Sequence, residues 1–433
     1  MTDSLAFPPA RSVHGTVHAP PSKSATNRAL VLAALSNEPV EIRRPLDSED
    51  TNRLAACLRA MGAVIEPIEE GVRVHGPLGA GAHRDAVVLD AGASGTAARF
   101  LAAVAAAVPG RYRLTGHARL LERPIGPLVT SLRGAGAQIE YAGREGFLPL
   151  SIRGESLGSA RPADPVVVDV SESSQFLSAL LVAAAALEAG LSVRPAGEVV
   201  SAPYVETTVA VLQAFGHGVA RGVDGAIAVA RGGGGPRAYT VPGDWSSALP
   251  LLAAAGIAGG QVTVTGLEWP SPDADARALD VVEAMGVAVE RGPGAVRTHG
   301  DRGLRAPVSV SATGFPDAVP VLAALAAFAD GESRFRGVAH LRLKESDRIA
   351  AIAELLDAAG SSAAPGDREL LVAGPPRPRS GVRRFRTFED HRIAMAAALL
   401  ALRLPGALIE DPGCVAKSYP GFWRDLETIL MRG

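Results

Sequence analysis

A cluster of cationic and hydroxyl side chains precedes the first apolar stretch of the chain. Lys23, Ser24 and Arg28 lie just before the run 29–35, and Asn27 lies three positions after Ser24. A helix N-terminus carries free N–H groups and partial positive charge, so cations there are disfavoured unless an anion binds against them. Residues three and four apart share one helix face. The spacing indicates either an anion-binding face or a serine N-cap followed by solvated charges.

Five later apolar runs also begin after small polar residues. The segments before them are 93–99, 171–175, 244–247, 313–317 and 389–392. Ser, Thr and Asp are favoured at N-caps, which accounts for much of this pattern. Capping does not explain the cations near helix starts, which are Arg28, Arg99, Arg123, Lys344, Arg348 and Arg392. Several helix N-termini that carry Arg and Lys predict a site for a ligand with more than one anionic group.

A repeat of about 75 residues positions these segments. Six Ala- and Leu-rich helices are predicted, at 29–35, 97–108, 176–189, 249–258, 319–329 and 393–404. Five of them stop at a glycine, the usual residue at a helix end; these are Gly110, Gly190, Gly260, Gly331 and Gly406. A second series of helices ends at Gly62, Gly136, Gly216, Gly286 and Gly360. A two-strand pattern follows these second helices, so each repeat predicts strand, helix, strand, helix and hairpin.

Six such repeats predict an α/β (α+β) fold with two domains of three βαβαββ units each. The chain is expected to cross between domains at 20–21 and 240–242, which gives one domain at 21–241 and another at 1–20 plus 242–433. The last repeat has no hairpin after its final helix, and 13–18 is predicted to supply the missing strands. The first helix of each repeat is apolar nearly all round and is predicted to be buried.

Charge and composition exclude several classes of function. The 43 Lys and Arg against 45 Asp and Glu leave a net charge of −2, so no basic field indicates a nucleic-acid partner. The longest apolar runs are too short to span a membrane. The first residues show neither a signal-peptide nor a transit pattern, which predicts a soluble cytoplasmic protein. The Gly/Ser loops match no P-loop spacing, so a nucleoside triphosphate is not indicated.

The two cysteines predict neither a metal site nor a disulfide. Cys57 and Cys414 lie far apart and have no neighbouring histidine. We expect both to be small buried apolar residues.

Five motifs carry a resemblance to a known family. They are PSKSATNR at 21–28, ERPIG at 122–126, SSQF at 173–176, LRLKESDR at 341–348 and DHRIAM at 390–395. Together they resemble the 5-enolpyruvylshikimate-3-phosphate synthase family over the whole chain. The resemblance implies the enolpyruvyl transferase fold, an inside-out α/β barrel, with the active site in a cleft at a two-strand hinge.

The resemblance implies 3-phosphoshikimate 1-carboxyvinyltransferase activity. The enolpyruvyl group of phosphoenolpyruvate would pass to the 5-hydroxyl of shikimate 3-phosphate with release of phosphate, a step of chorismate and aromatic amino acid biosynthesis. Addition and elimination need a base and an acid but no metal or cofactor. A cytoplasmic monomer is expected.

The resemblance also implies a set of ligand contacts. Shikimate 3-phosphate would meet Lys23, Ser24, Arg28, Ser173, Ser174, Gln175, Ser201, Asp317, His340 and Lys344. Phosphoenolpyruvate would meet Lys23, Gly95, Arg123, Gln175, Arg348, Arg392 and Lys417. The carboxylate end of the acceptor would lie at Lys23, Ser24 and Arg28, and its phosphate at the serines and Lys344.

Three residues are implied to act in the chemistry. Asp317 corresponds to the family's base, Glu345 to its acid, and Lys23 would assist either proton transfer. The residues alone allow structural roles instead. Glu345 would form an intrahelical ion pair with Arg348, three positions on, and Asp317 would be an N-cap after Pro316.

Three positions depart from the family's pattern. Ala93 stands where many members have Asn, which removes one side-chain contact to the donor. Pro21 replaces a common Gly, and His340 stands where Asn is frequent. Gly95 has no methyl group to crowd the donor, so the resemblance implies inhibition by the donor mimic glyphosate.

Three alternatives remain at this stage. A sister enolpyruvyl transferase acting on a UDP-amino sugar has the same fold, but typically a catalytic cysteine on a loop. An RNA-end-processing enzyme would need a basic surface. The third alternative is a non-catalytic anion-binding repeat protein.

Overall fold

The computed structural model describes residues 4–79, 85–157, 165–232, 235–306 and 308–432. It divides into two compact units. The continuous unit is Pro21–Val241, and the discontinuous unit comprises Met1–Pro20 and Pro242–Gly433. Each unit has its own hydrophobic core.

The described residues form thirteen α-helices and twenty-four strands. The helices are α1 Lys23–Leu35, α2 Glu49–Ala60, α3 Gly95–Ala107, α4 Ala118–Leu121, α5 Gly126–Gly134, α6 Gln175–Ala184, α7 Pro203–Ala214, α8 Trp245–Ala258, α9 Ala278–Ala284, α10 Val319–Ala326, α11 Arg348–Ala359, α12 His391–Ala401 and α13 Phe422–Thr428. The first fourteen strands are β1 Ser4–Phe7, β2 Ser12–His18, β3 Val40–Arg43, β4 Val64–Ile68, β5 Gly71–His75, β6 Val87–Asp90, β7 Arg111–Thr115, β8 Gln138–Tyr141, β9 Leu150–Arg153, β10 Val166–Asp169, β11 Leu191–Ala196, β12 Gly218–Arg221, β13 Ile227–Ala230 and β14 Ala238–Thr240. The others are β15 Gly260–Thr265, β16 Ala288–Gly292, β17 Ala295–Gly300, β18 Ser309–Ser311, β19 Gly331–Arg336, β20 Ser362–Pro365, β21 Glu369–Gly374, β22 Arg383–Phe385, β23 Ala407–Glu410 and β24 Leu430–Met431. Short 3-10 turns occur at Ala274–Arg277, Pro316–Ala318, Ala339–Leu343 and Pro412–Lys417.

The sheets follow one plan, in which a parallel strand pair is extended by an antiparallel hairpin. The continuous unit holds the strand orders β14-β3-β5-β4, β6-β7-β9-β8 and β10-β11-β13-β12. The discontinuous unit holds β16-β17-β15-β2-β24, β18-β19-β21-β20 and β1-β23-β22. The predicted βαβαββ repeat is confirmed, and only the last sheet lacks the hairpin.

The N-terminal strands pair differently from the prediction. Strand β1, at Ser4–Phe7, runs antiparallel to β23 and completes the last sheet. The segment predicted for that role lies in β2, which runs parallel to β15 with Val13 opposite Gly260. This register buries Val13 and Val17 in the core. The prediction was wrong because β1 has only four residues, too few to show an alternating pattern.

Strands β2 and β14, which stand at the two ends of the continuous unit in the chain, each pair with a strand next to the helix that the other precedes. Strand β2 precedes α1 in the chain but pairs with β15, the strand after α8. Strand β14 precedes α8 but pairs with β3, the strand after α1.

The apolar helices form the two cores, as predicted. In the continuous unit α1, α3 and α6 pack against one another, and in the discontinuous unit α8, α10 and α12 do so. Every residue of α8, α10 and α12 is buried. Because these helices have no solvent face, their sequences lack the polar stripe of an amphipathic helix.

The glycines that follow these helices differ from the expected helix ends. Helices α6 and α10 end earlier than predicted, and Gly260 and Gly331 are the first residues of β15 and β19. All five glycines have positive φ. A Cβ at Gly260 would lie 2.1 Å from the Val13 carbonyl oxygen, so close approach of a neighbouring strand explains this glycine. In contrast, the glycines of the second series follow within two residues of the ends of α2, α5, α7, α9 and α11, as predicted.

In the described part of the chain, no helix has the length and apolarity needed to cross a membrane.

Candidate active-site residues

The cationic segment at the start of the continuous unit is part of helix α1. Ser22 is the N-cap, and its hydroxyl accepts a hydrogen bond from Ala25 N at 3.3 Å. The helix therefore begins at Lys23, six residues before the predicted apolar run. The serine-cap alternative is right about the cap but wrong about solvated charges, because Arg28 is only 2% exposed.

Lys23 is held by a buried carboxylate. Its Nζ lies 3.0 Å from Asp50 Oδ2, and the two side chains are 16% and 5% exposed. Asp50 lies in the first turn of α2. Asp50 was not among the predicted site residues, because an acidic residue in a first helical turn is common and its partner lies 27 positions away.

Arg28 is fixed by three hydrogen bonds within the continuous unit. Its Nε donates to Thr208 Oγ1 at 2.8 Å, one terminal nitrogen donates to Ser24 O at 2.9 Å, and the other donates to Tyr204 O at 3.1 Å. The Phe100 ring lies 5.3 Å from the guanidinium carbon. The plane of the Arg28 guanidinium is therefore defined by its own helix, α1, together with α7 and the Phe100 ring of α3.

The N-terminus of α3 lies against an arginine from the segment before α5. A Cβ at Gly95 would lie 2.7 Å from Arg123 Nη1, so the guanidinium passes directly over this glycine. Arg123 is buried. Arg99 donates to Gly95 O and Pro124 O, which ties α3 to the same segment. These backbone contacts make Arg99 a structural residue.

The N-terminus of α6 is joined to that of α3. Gln175 Nε2 donates to Thr96 Oγ1 at 3.1 Å, while Gln175 Oε1 is buried and accepts no hydrogen bond from the residues that the structure describes. Ser173 Oγ accepts from Gln175 N, and Ser174 is buried. A further buried serine, Ser201, has φ of 57°, a strained value for a residue other than glycine.

In the discontinuous unit, Arg348 binds three carboxylates. Its guanidinium nitrogens lie 2.7 Å from Asp317 Oδ1, 2.9 Å from Glu345 Oε2 and 2.8 Å from Asp390 Oδ2. Arg348 is 1% exposed, and Asp390 is fully buried. The structure thus places both predicted acid–base carboxylates on one buried cation.

Asp317 is not an N-cap. It lies in the 3-10 turn Pro316–Ala318 and also faces Arg392 Nη2 at 3.7 Å and Lys344 Nζ at 3.9 Å. Burial alone would raise the pKa of Asp317, but the charges of Arg348, Lys344 and Arg392 outweigh burial and hold it well below its usual value. Asp317 is therefore ionised and a weak base in this arrangement.

Glu345 forms the expected ion pair with Arg348, but outside a helix. Asp347 is the N-cap of α11, and its carboxylate accepts from Ile349 N and Ala350 N. Glu345 therefore precedes the helix, where its side chain is not confined to a helix face. The next residue, Ser346, donates to Asp390 Oδ2 at 2.9 Å.

His340 lies in the turn Ala339–Leu343 and is buried. Burial and the neighbouring Lys344 lower the pKa of His340 to about 3, so the imidazole is neutral at physiological pH. Its Nε2 is buried and has no hydrogen-bond partner among the described residues.

The remaining predicted cations of this unit are also buried. Arg392 lies in the first turn of α12, and its guanidinium donates to the carbonyl oxygen and the hydroxyl of Ser246. Lys417 ends the turn Pro412–Lys417.

Asp390 is a second carboxylate in contact with predicted site residues that was not itself predicted. It accepts from Arg392 N at 2.9 Å as the N-cap of α12, and it also binds Arg348 and Ser346. Its position before an apolar helix indicated a cap. Only the fold shows that the same carboxylate holds a cation 42 positions away.

Neither cysteine is poised for nucleophilic chemistry. Burial raises the pKa of Cys57 and of Cys414 to about 12, so both thiols are protonated at neutral pH. No group of three or more His, Cys, Asp or Glu residues with a metal-binding arrangement occurs among the residues that the structure describes.

The whole chain is similar to known proteins of one family. The sequence matches the EPSP synthase family, 3-phosphoshikimate 1-carboxyvinyltransferase, over residues 8–426. The 3-phosphoshikimate 1-carboxyvinyltransferase of Thiobacillus denitrificans is 40% identical over 420 residues, which cover 96% of this chain and 97% of that protein. The enzyme of that name from Methanoculleus marisnigri is 38% identical over 409 residues, or 94% of this chain and 95% of its own.

Two solved structures resemble the fold. EPSP synthase from Acinetobacter baumannii has a TM-score of 0.79 and 28% identity, and the match covers 99% of this chain and 98% of that one. The enolpyruvyl transferase NikO from Streptomyces tendae has a TM-score of 0.75 at 21% identity, with coverage of 98% and 97%, and shares the fold. On the whole-length sequence match, the chain belongs to the EPSP synthase family.

Proposed function

We propose that the protein transfers the enolpyruvyl group of phosphoenolpyruvate to the 5-hydroxyl of shikimate 3-phosphate and releases phosphate. The reaction is a step of chorismate and aromatic amino acid biosynthesis. The observation that carries this proposal is the placement of Asp317 and Glu345 on the single guanidinium of Arg348, in a chain that matches the family over residues 8–426.

The proposal assigns contacts to each of the two substrates. The acceptor carboxylate is bound by Lys23, Ser24 and Arg28. Its phosphate is bound by Ser173, Ser174, Ser201 and Lys344, while Gln175, Asp317 and His340 complete its contacts. The donor is bound by Lys23, Gly95, Arg123, Gln175, Arg348, Arg392 and Lys417. Arg suits bidentate contacts to carboxylate and phosphate, and Lys supplies point charges.

The chemistry is an addition followed by an elimination. Asp317 takes the proton of the acceptor hydroxyl as its oxygen attacks the second carbon of the enolpyruvyl group, and Glu345 gives a proton to the methylene carbon. In the second step the methyl carbon loses a proton, the double bond forms again and the carbon–oxygen bond to phosphate breaks. Lys23 assists proton transfer.

The low pKa of Asp317 is consistent with this role once anions bind. Arg348, Lys344 and Arg392 hold the carboxylate in its ionised form. Phosphate and carboxylate groups beside these cations would offset their charge, which raises the proton affinity of both carboxylates. We therefore expect Asp317 to become a stronger base, and Glu345 a competent acid, when both substrates are present.

The alternative acceptor, a UDP-amino sugar, is disfavoured by the thiols. That family typically uses a cysteine on a loop, whereas Cys57 and Cys414 are protonated and buried or half-buried.

Release of phosphate tests the proposal directly. The protein is incubated with phosphoenolpyruvate and shikimate 3-phosphate, and phosphate is expected only when both are present. The same assay is run with UDP-N-acetylglucosamine in place of shikimate 3-phosphate, where none is expected. Release with the UDP sugar alone would reassign the acceptor, and no release with either acceptor would leave an anion-binding protein without this activity.

We also propose that the enzyme is a monomer and is located in the cytoplasm. Light scattering during size-exclusion chromatography is expected to give the mass of one chain, 44.4 kDa. A mass of twice that value would contradict the monomer.

A further inference from the structure

All three nitrogens of the Arg28 guanidinium donate hydrogen bonds to atoms of helices α1 and α7. Nε binds Thr208 Oγ1, and the two terminal nitrogens bind the carbonyl oxygens of Ser24 and Tyr204. Each of these three acceptors is electrically neutral, and together they orient the guanidinium. The Phe100 face adds a fourth contact, from α3.

Thr208 is the side chain that accepts the hydrogen bond from Arg28 Nε. It is completely buried in α7, and its Oγ1 lies 2.9 Å from Ser178 Oγ on α6 and 3.0 Å from Tyr204 O. A hydroxyl has one hydrogen and two acceptor lone pairs, so Thr208 can accept from Arg28 while it donates to one of these oxygens. Its acceptor lone pair is thereby aimed at Arg28.

A fixed guanidinium plane matters for a bidentate contact. A carboxylate is bound by two parallel N–H donors, and that geometry fails when the guanidinium rotates. Holding the arginine in place before the ligand arrives removes an ordering cost from the binding step. A rigid support from neighbouring helices is therefore expected to contribute to affinity without touching the ligand.

We propose that Thr208 is a positioning residue for the acceptor substrate. Its hydroxyl holds Arg28 in the orientation that binds the carboxylate of shikimate 3-phosphate. This inference rests on the proposed function, in which Arg28 meets that carboxylate.

The decisive comparison is Thr208→Val against Thr208→Ser. Valine keeps the shape but removes the acceptor, whereas serine keeps the acceptor and loses a methyl group. We expect Thr208→Val to raise the Kd and KM for shikimate 3-phosphate by about tenfold, the scale of one hydrogen bond to a charged group. The KM for phosphoenolpyruvate is expected to stay within about twofold, and Thr208→Ser should restore acceptor affinity.

A merely structural role would give a different result. Thr208→Val would then lower the free energy of unfolding but leave the Kd for shikimate 3-phosphate at the wild-type value, which would overturn the proposal. Equal weakening of both substrates would also overturn it.

A second pair of variants tests the coupling to Arg28. Lysine has no Nε–H at that position, so in an Arg28→Lys background Thr208→Val should weaken acceptor binding by less than about twofold. Full additivity of the two effects would contradict the inference.

If Thr208→Val does not fold, Ser178→Ala takes its place. It removes one of the two oxygens that the Thr208 hydroxyl contacts and leaves Tyr204 O, so we expect a roughly threefold weaker Kd for the acceptor; an unchanged Kd would count against the proposal.

Calorimetric titration of shikimate 3-phosphate separates this inference from the proposed function. Wild-type protein that binds the acceptor but releases no phosphate refutes the activity, while the comparison of Thr208 variants still decides the positioning role. Wild-type protein that does not bind shikimate 3-phosphate refutes both.

Discussion

Arg348 and Asp390 form an ion pair from which water is excluded, with Arg348 Nε 2.8 Å from Asp390 Oδ2 and exposures of 1% and 0%. The same carboxylate caps α12 and accepts from Ser346. Removing one partner of a buried pair leaves an uncompensated charge, which is far more costly than breaking a surface pair.

We therefore expect Asp390→Asn to lower the free energy of unfolding by about 3 kcal/mol. The matched control is Asp357→Asn in the same unit, where Asp357 pairs with Arg379 at exposures of 76% and 48%. That change should cost less than ~1 kcal/mol. Urea unfolding of both variants measures the difference, and equal losses would show that the buried pair is no stronger than the exposed one.

Asp317→Asn is expected to fold and to bind both substrates, but to lose turnover. The amide keeps the size of the side chain but cannot accept the hydroxyl proton, so kcat should fall by roughly 10²- to 10⁴-fold. Arg348 keeps Glu345 and Asp390 as partners in this variant. Steady-state kinetics with calorimetry of the acceptor checks the prediction, and near-wild-type kcat would remove Asp317 from the mechanism.

Glu345→Gln should block proton transfer to carbon. We expect kcat to fall by about 10²-fold or more. In D2O, the wild-type protein should place deuterium on the methylene carbon of recovered phosphoenolpyruvate when shikimate 3-phosphate is present, and the variant should do so at a correspondingly lower rate. Incorporation at the wild-type rate would assign the acid to another residue.

The buried imidazole of His340 predicts a pH-dependent stability. Burial, followed by Lys344, lowers the pKa of His340 from 6.5 to about 3, and the charges of Asp317 and Arg348 also act on it. Below pH 6.5 the unfolded chain therefore binds a proton that the folded protein excludes, so this contribution is destabilising as the pH falls from 6.5 towards 3.

Between pH 7.5 and pH 5, His340 is expected to lower the free energy of unfolding by about 2 kcal/mol. His340→Asn has no titrating side chain, so the variant should lose that much less stability than the wild type over this interval. Urea unfolding at the two pH values gives the comparison. Parallel losses in the two proteins would mean that His340 is protonated in the folded state.

Gly95→Ala should weaken binding of the donor phosphoenolpyruvate while the protein still folds. The new Cβ would lie 2.7–2.8 Å from the Arg123 guanidinium atoms, which are the flexible end of that side chain and so must move. We expect the KM for phosphoenolpyruvate to rise by about tenfold, with less than ~1 kcal/mol lost in stability. Inhibition by glyphosate, expected for the wild type, should weaken in parallel.

Gly134→Ala is the matched control, because no described atom outside its own stretch of α5 lies within 4 Å of its Cβ position. It should leave both kinetic constants unchanged. A donor KM that is the same in the two variants, or a wild-type protein indifferent to high millimolar glyphosate, would contradict the placement of the donor at Gly95.

The sequence was most informative where the chain repeats. Every glycine of the two series has a positive φ, and at Gly260 the neighbouring strand also comes too close, at Val13, to leave room for a side chain. The positive φ recurs with every repeat, so the glycine interval is visible without a structure. Strand β1 has four residues and no such mark, and its partner β23 lies at the far end of the chain.

The candidate site was predictable only in part, for the same reason. Glu345 and Arg348 are three positions apart, so their ion pair follows from local geometry. Asp317 and Asp390 lie 31 and 42 positions from Arg348, and nothing local links them. Thr208 is further still, 180 positions from Arg28, and a single threonine in a helix carries no signal of its partner. The cleft predicted at the hinge stays a prediction.

The reciprocal pairing of β2 and β14 imposes an order on folding during synthesis. The sheets of the continuous unit need no residue beyond Val241, so this unit can finish folding while translation proceeds. Strand β2 leaves the ribosome before every strand of that unit, but His18 must wait for Thr265, which is made 247 positions later. A nascent chain that stalls before β15 would therefore carry a folded unit behind an N-terminal segment whose strands, β1 and β2, have not met their partners, and unpaired strand edges of this kind are prone to aggregate.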